Sequence, residues 1–259
     1  MPEVDYRVDW RDDLVIFTLS AEKRLNALSG NMVDGLEKCL DAMSAKGVRA
    51  IVITGLGKAF CAGTDLHEAS ELSHEEQCDK ADRIRELFFR LQTMPLTSIA
   101  AINGHALGGG LELAMACTLR IAHLNAGLGL PEVKLAVIPC YGGTQFLPSL
   151  IGKSRAADLL LTGRTIGAEE AHHIGLVNRL AEANQSFLEQ ALSYSREVTG
   201  HSQRAIEDIR QCLAVASETV TQSGLTLEGQ VCRAQGDSWD AKEGLRAFLE
   251  KRPPQFSHH

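Results

Sequence analysis

Two glutamates stand where a chain that performs acid–base chemistry could place them. Glu112 lies in the first turn of a helix-like segment, and Glu132 follows Pro131 twenty residues later. A strand predicted between them would bring both side chains to the same edge of a sheet. Two carboxylates at one site can divide the roles of acid and base, because mutual repulsion and burial separate their pKa values. By itself, a glutamate after proline is also a common first-turn residue of a helix.

The turn before Glu112 contains Gly108, Gly109 and Gly110 in succession. Glycine lets a backbone N–H lie close to a ligand, and a helix N-terminus adds unpaired donors and a partial positive charge. This turn can therefore receive an oxygen that is, or becomes, negative. It can equally serve only the tight packing of a helix on a sheet, so the turn alone leaves both interpretations open.

A second turn of this kind, Cys61-Ala62-Gly63-Thr64-Asp65, follows another predicted strand. If the two turns face each other, the N–H groups of Thr64 and Gly109 can form an oxyanion hole with two donors. Such donors supply a large electrostatic stabilisation in acyl chemistry, on the order of 3 kcal/mol for each one. The pair is therefore a candidate site for a carbonyl oxygen.

Apolar runs and helical spacing predict the elements that must position these residues. Strands are predicted at residues 14–19, 48–54, 98–102 and 119–122. Helices are predicted at residues 32–43, with Ser29 as the N-cap, at 84–91, and at 154–161, closed by Gly163. This alternation indicates the α/β class, with a core domain at residues 1–195.

The pattern changes after about residue 183, where strand-like runs cease and polar helical segments follow. Asp240 and Glu243 stand three apart ahead of an apolar run, which predicts a capping pair at the start of the last helix. We therefore predict that residues 196–259 form a separate helical region.

Composition is that of an ordinary globular protein and argues against several classes. The chain has 259 residues and a formal net charge of −7, which disfavours nucleic acid as a partner. Its seven cysteines form no C-x-x-C pair and suggest a reducing compartment. No signal peptide is visible, and Pro95 and four glycines interrupt the longest uncharged run, residues 91–111. We therefore expect a soluble cytoplasmic protein without a membrane span.

Several short segments follow one another along nearly the whole chain. They are Lys23–Leu28, Val48–Leu66, Asn103–Cys117, Pro131–Glu132, Gly142–Gln145, Gly163–Ile166, Gly175–Val177 and Phe248–Arg252. In order and spacing they resemble the enoyl-CoA hydratase/isomerase (crotonase) family. The resemblance implies a crotonase-like spiral of ββα units with a helical C-terminal region used for oligomerisation.

The resemblance also implies residue roles. It assigns the N–H groups of Thr64 and Gly109 to the thioester carbonyl, and it places Glu112 and Glu132 at the two catalytic carboxylates of the hydratases. Other members commonly lack one or both acids, so their presence favours reversible syn addition of water to a 2-enoyl-CoA, giving a 3-hydroxyacyl-CoA. Glu112 would deprotonate the water, and a protonated Glu132 would protonate the α-carbon. An isomerase, a thioester hydrolase or a catalytically weak acyl-CoA-binding member are the alternatives.

The same resemblance implies how CoA binds. The carrier would lie across Arg24 and Leu25, with its adenine near Ala62, and the tail around Lys251 and Phe256 would close over it from a neighbouring subunit. CoA is then part of the substrate, and neither a metal nor another cofactor is implied. Homotrimers, or hexamers made of two trimers, are the expected assemblies.

The chain departs from the family pattern around the acyl pocket. Cys140 stands where glycine is usual, at the N–H that helps hold the catalytic water in hydratases. If the backbone there has a positive φ, a cysteine would be strained by about 1 kcal/mol or more. Cys140 and Tyr141 would reshape the pocket, and His67 stands where a CoA-contacting lysine is common. The identity of the acyl group therefore stays open.

Overall fold

The computed structural model describes residues 5–216, 222–235 and 238–257. Its strands are β1 (Tyr6–Trp10), β2 (Leu14–Leu19), β3 (Ala50–Gly55), β4 (Ala59–Cys61), β5 (Thr97–Ile102), β6 (His105–Leu107), β7 (Leu119–Ala122), β8 (Gly127–Gly129), β9 (Thr165–Gly167) and β10 (Arg179–Leu180). Its α-helices are α1 (Gly30–Ala45), α2 (Leu66–Glu71), α3 (His74–Thr93), α4 (Gly109–Ala116), α5 (Gly143–Ile151), α6 (Lys153–Thr162), α7 (Ala168–His173), α8 (Phe187–Thr199), α9 (Gln203–Ala214), α10 (Gln222–Gln235) and α11 (Trp239–Glu250).

The large sheet has the order β1-β2-β3-β5-β7-β10. Strand β1 pairs antiparallel with β2, and all the other neighbours are parallel. The predicted strands are confirmed as β2, β3, β5 and β7. Their near-continuous apolar sequences fit strands that are covered on both faces.

The small sheet has the order β4-β6-β8-β9, in which β4, β6 and β8 run parallel and β9 is antiparallel to β8. Each of these strands has three residues, which is too short to show alternation in the sequence. The pairs β3/β4, β5/β6 and β7/β8 each supply one strand to each sheet and lead into helical segments. The predicted ββα repeat is therefore confirmed.

Alternate residues of the large sheet face two apolar clusters, as the two-residue repeat of a strand requires. Val15 and Phe17 join a large cluster that also contains Phe60 and Phe88, whereas Ile16 belongs to a smaller cluster with residues of α8. The helix predictions also hold: Ser29 accepts the N–H of Met32 in the first turn of α1 at 3.2 Å, and α6 ends at Gly163 with φ 60°. The large sheet is therefore packed on both faces.

The chain divides into two compact units after Ser195. The second unit contains α9, α10 and α11. None of the helices among the described residues is long and apolar enough to cross a membrane. The role of this unit in oligomerisation remains a prediction.

The predicted capping pair at the start of α11 is wrong. Ser238 is the N-cap and accepts the N–H of Ala241 at 3.1 Å. Asp240 is already the second residue of the helix, two positions past the cap, and it instead accepts hydrogen bonds from the N–H and hydroxyl of Ser257 at 2.7 and 2.9 Å. Glu243 pairs with Arg246 and Arg252. Both carboxylates therefore hold the C-terminal segment rather than the helix start.

Candidate active site

Three turns meet at one edge of the small sheet. Thr64 follows β4, Gly109 follows β6, and Glu132 follows β8. Because these three strands are parallel neighbours, their carboxyl ends lie side by side. The small sheet therefore brings together residues that the sequence spreads over almost seventy positions.

The two glycine-containing turns touch, as an oxyanion hole requires. A Cβ on Gly63, which has φ 99°, would lie 2.8 Å from the carbonyl oxygen of Leu107 and 3.2 Å from the nitrogen of Gly109. Gly108 donates its N–H to the carbonyl of Gly129 at 2.9 Å, whereas the N–H groups of Thr64 and Gly109 donate to no other group among the described residues. These two N–H groups are available to a ligand oxygen.

Glu112 lies in the first turn of α4 and is only 1% exposed. Its Oε1 accepts the N–H of Tyr141 at 2.8 Å and the N–H of Gly143 at 2.7 Å. Burial raises its pKa to about 7, and the nearby Glu132 adds to the rise, although the two N–H donors oppose it. Both protonation states of Glu112 are therefore populated near neutral pH.

Glu132 is the second residue of a short 3₁₀-helix, Pro131–Leu135, which follows β8 after Leu130. A Cβ on Gly108 would lie 2.9 Å from its Oε1, so the glycine makes room for this carboxyl group. Its Oε2 is buried and has no hydrogen-bond partner among the described residues. Burial raises the pKa of Glu132, which favours the neutral acid.

Both glutamates line a cavity of about 630 Å³. Several apolar side chains cover its wall, among them Leu66, Leu72, Leu135, Val137 and Ile138. The structure brings to this one cavity the predicted residues Ala62, Thr64, Gly109, Glu112, Glu132, Cys140 and Tyr141. The space has the mostly apolar wall and the few convergent polar groups of a small-molecule site.

Tyr141 covers the oxyanion turns from the side. Its hydroxyl lies 2.8 Å from Oγ1 of Thr64, and its ring would lie 2.7 Å from a Cβ placed on Gly109. The ring also makes an edge contact with Phe88, at 6.1 Å between centroids. Burial raises the pKa of Tyr141 to about 12, so its hydroxyl stays protonated and can donate or accept.

Cys140 carries no backbone strain of the kind considered above, since it is not among the residues with positive φ. Its carbonyl accepts Nε of Arg85 at 3.0 Å. Cys140 is exposed as a residue, and partial burial of its thiol together with the nearby Glu112 raises the pKa of that thiol to about 11. The thiol therefore remains protonated at neutral pH.

Three predicted CoA contacts lie outside the residues that line the cavity. Arg24 pairs with Asp5 and Asp65, each at 2.6 Å. Leu25 is 48% exposed, has φ 51° and accepts the N–H of Ala62 at 3.0 Å. His67 is exposed on α2. The structure thus places this group around the turn that leads to Thr64.

The remaining two predicted CoA contacts, Lys251 and Phe256, belong to the second unit. Lys251 ends α11 with φ 56°. A Cβ on Gly244 of the same helix would lie 3.7 Å from the ring of Phe256. Their proposed contact with CoA remains a prediction.

Two features of the site were missed in the sequence. Gly143 supplies a donor to Glu112, and Arg85 lines the cavity from α3. Arg85 is one of several charged residues on that helix, so no local signal marks it. No group of three or more His, Cys, Asp or Glu side chains that could hold a metal ion occurs in the described part of the chain.

Comparison with known proteins identifies the family. The family model for enoyl-CoA hydratase/isomerase matches residues 11–259. The chain belongs to the enoyl-CoA hydratase/isomerase family. A crystal structure of an enoyl-CoA hydratase from Bacillus anthracis has a TM-score of 0.93 and 36% identity, and the match covers 98% of this chain and 100% of that one. The fold is therefore that of the crotonase family, as the sequence resemblance implied.

Two curated relatives in this family differ in the substrate that their names imply. A probable enoyl-CoA hydratase of Bacillus subtilis is 40% identical over 233 residues, which are 89% of this chain and 90% of the relative. The human mitochondrial methylglutaconyl-CoA hydratase is 39% identical over 249 residues, which are 94% of this chain and 73% of the relative.

Proposed function

We propose that this chain is an enoyl-CoA hydratase that adds water reversibly and in the syn sense to a 2-enoyl-CoA. The observation that carries the proposal is that buried Glu112 and half-buried Glu132 line one cavity beside two free N–H donors. The product is a 3-hydroxyacyl-CoA. CoA is part of the substrate, and the proposed reaction uses no metal or redox cofactor.

In the proposed reaction the thioester carbonyl oxygen accepts hydrogen bonds from the N–H groups of Thr64 and Gly109. These donors stabilise the negative charge that develops on this oxygen as the enolate forms. The polarised double bond then accepts a nucleophile at its β-carbon. The apolar side chains of the cavity wall lower the local dielectric constant once substrate fills the cavity, which strengthens these interactions.

The two glutamates divide the proton transfers. Glu112, as a carboxylate, removes a proton from one water molecule while the hydroxyl oxygen bonds to the β-carbon. Glu132, as a neutral acid, donates a proton to the α-carbon. One turnover leaves Glu112 protonated and Glu132 ionised, and a proton returns from the first to the second through solvent. The pKa of about 7 for Glu112 and the raised pKa of Glu132 are consistent with these roles.

CoA is proposed to lie over the turn that holds Arg24, Leu25 and Ala62, close to His67. Ala62 lines the cavity, so the acyl end of the substrate would enter beside it. Lys251 and Phe256 are proposed to contact CoA from a neighbouring subunit. Cys140 and Tyr141 are proposed to shape the space for the acyl group.

A homotrimer, or a hexamer of two trimers, is proposed for the assembly, in the cytoplasm. The second unit supports an oligomeric contact because it exposes several large apolar side chains, including Phe248 at 79% and Leu249 at 70%. Light scattering of the purified chain measures the mass of the assembly. A monomer would contradict this part of the proposal.

A panel of enoyl-CoA substrates tests the reaction. The enzyme should remove the absorbance of the conjugated thioester, and the product should gain the mass of one water. The panel should include methylglutaconyl-CoA, the substrate that the human relative's name implies.

Each other outcome identifies an alternative. An unchanged mass with a shifted double bond indicates an isomerase, and release of free CoA indicates a thioester hydrolase. Tight binding without turnover indicates an acyl-CoA-binding protein. If Glu112→Gln and Glu132→Gln variants keep most of the hydratase activity, the assignment of the acid and base is wrong.

A further inference from the structure

Arg85 and Glu112 bind opposite ends of one peptide group, the one that links Cys140 to Tyr141. Its Nε donates to the carbonyl of Cys140 at 3.0 Å. The N–H of the same peptide group, that of Tyr141, donates to Oε1 of Glu112 at 2.8 Å. A trans peptide group is planar, with its C=O and N–H pointing in opposite directions. A bond that holds the carbonyl therefore also directs the N–H.

We propose that Arg85 is a positioning residue, which fixes the peptide group between Cys140 and Tyr141 so that its N–H points at Glu112. The catalytic consequence rests on the proposed hydratase function. With the peptide rotated by half a turn, a carbonyl oxygen would face the carboxylate instead of a donor. The bond from Arg85 opposes this rotation.

This peptide group needs an external support because its segment has no regular structure. Residues 137–142 belong to no helix or strand, and Ile138 is 70% exposed. The second donor to Glu112, Gly143, is different because it is the first residue of α5. The Tyr141 donor is therefore the one whose direction depends on Arg85.

Arg85 is itself well placed to give that support. It lies within the twenty-residue helix α3, and its Nη1 also bonds Oδ1 of Asp82 at 2.8 Å. Hydrogen bonds in a series polarise one another. The guanidinium group thus strengthens the Tyr141 N–H as a donor while α3 holds it in position.

The charge of Arg85 also favours the ionised form of Glu112, as the Tyr141 hydrogen bond does. The guanidinium lowers the pKa of Glu112, against the larger effect of burial and the repulsion from Glu132. Cys140 and Tyr141 face Glu112 from the loop, and neither is charged at neutral pH. The other titratable groups that line the cavity are His74, Cys78, Lys80 and Asp82. Removing Arg85 should therefore raise the fraction of protonated Glu112.

Variants of Arg85 separate its charge from its hydrogen bond. Arg85→Gln removes the charge, and Arg85→Lys keeps it without the planar guanidinium. The matched control is Arg90→Gln, since Arg90 lies on the same helix and pairs with Asp41. For Arg85→Gln we expect kcat to fall about tenfold, because small displacements of a reacting group are costly. KM should change little.

The pH profile distinguishes positioning from general damage to the fold. In Arg85→Gln the acidic limb of the kcat profile should move to higher pH by about half a pH unit to one unit. Arg85→Lys should recover most of this shift and only part of kcat. Arg90→Gln should match the wild type. Profiles of Arg85→Gln and wild type that superimpose would overturn the inference and leave the proposed function intact.

A direct titration of Glu112 does not depend on turnover. Protein labelled with ¹³C at the glutamate carboxyl groups is titrated by NMR, and the Glu112 signal is assigned by its loss in Glu112→Gln. In Arg85→Gln this signal should titrate at a higher pH than in the wild type and in Arg90→Gln. An unchanged titration overturns the inference even if no enoyl-CoA is hydrated, an outcome that would separately end the proposed function.

Discussion

Glu112 in the cavity and Glu243 in α11 are both hidden from solvent, at 1% and 2% exposure. Glu112 lies deep among protein atoms, whereas Glu243 is shielded by its immediate partners near the surface of the second unit, and their pKa values move in opposite directions. Burial raises the pKa of Glu112 to about 7. The pKa of Glu243 is well below its usual range, because it accepts hydrogen bonds from Arg252, from the N–H of Gln255 and from Arg246.

The depth of burial and the partners together account for the difference between the two sites. Glu112 accepts hydrogen bonds from two uncharged backbone N–H groups. These two donors do not fully replace the hydrogen bonds to water that burial removes. Glu243 has two arginines, whose charges stabilise the ionised form. A buried carboxylate is thus prepared for proton transfer where cations are kept at a distance, and it serves as a structural anchor where they are in contact.

The largest expected effect comes from exchanging each glutamate for glutamine. Glu112→Gln should lower kcat for hydration about a thousandfold, since a positioned acid or base contributes about 10²–10⁴ in rate, and it should not lower the melting temperature. Glu243→Gln should lower the melting temperature by about 5 °C and leave the kcat of the folded enzyme unchanged. Enzyme assays and calorimetry check both. Equal changes of melting temperature in the two variants would show that Glu112 and Glu243 do not differ in their structural role.

The contributions of Glu112 and Glu243 to stability should depend on pH in opposite ways. Between the ordinary value of 4.5 and about 7, native Glu112 binds more protons than the unfolded chain does. Its contribution to stability is therefore greatest below pH 4.5 and is lost as the pH rises through 7, by about 3 kcal/mol. The contribution of Glu243 has the opposite sign, being present above pH 4.5 and lost as the pH falls. Urea unfolding measures both.

The control for this measurement is each glutamine variant. Glu112→Gln should flatten the decline between pH 4.5 and 7, and Glu243→Gln should flatten the decline below pH 4.5. Stability curves that run parallel to the wild type over both ranges would show that neither carboxylate has the shifted titration described above.

The smallest expected effect concerns Cys140, an exposed residue whose thiol has its pKa raised to about 11 by partial burial. A raised pKa changes the population of a carboxyl group at neutral pH but not that of a thiol, which is already protonated. We expect Cys140→Ala to keep kcat within about threefold of the wild type, because the N–H and carbonyl of residue 140 remain. Mass spectrometry should find slow alkylation of Cys140 at pH 7.5. A loss of activity above tenfold would give the thiol a role.

The sequence alone identified the features that depend on neighbouring residues. The apolar strands β2, β3, β5 and β7, the Ser29 cap and the glycine turns all follow from local composition and spacing. The family resemblance placed Glu112 and Glu132 in one site, and the structure lines one cavity with both. These predictions succeeded because periodicity and turn chemistry act over a few residues.

Only the tertiary structure decided the features that depend on residues distant in the chain. The three-residue strands of the small sheet are stabilised by pairing with neighbouring strands that are distant in the chain. Their pairing brings Thr64, Gly109 and Glu132 together. The bond from Arg85 to Cys140 spans 55 positions, and the capping pair predicted at Asp240 and Glu243 proved to hold the C-terminal segment. Burial and partner charge set the pKa of a carboxyl group, and both are properties of the folded chain.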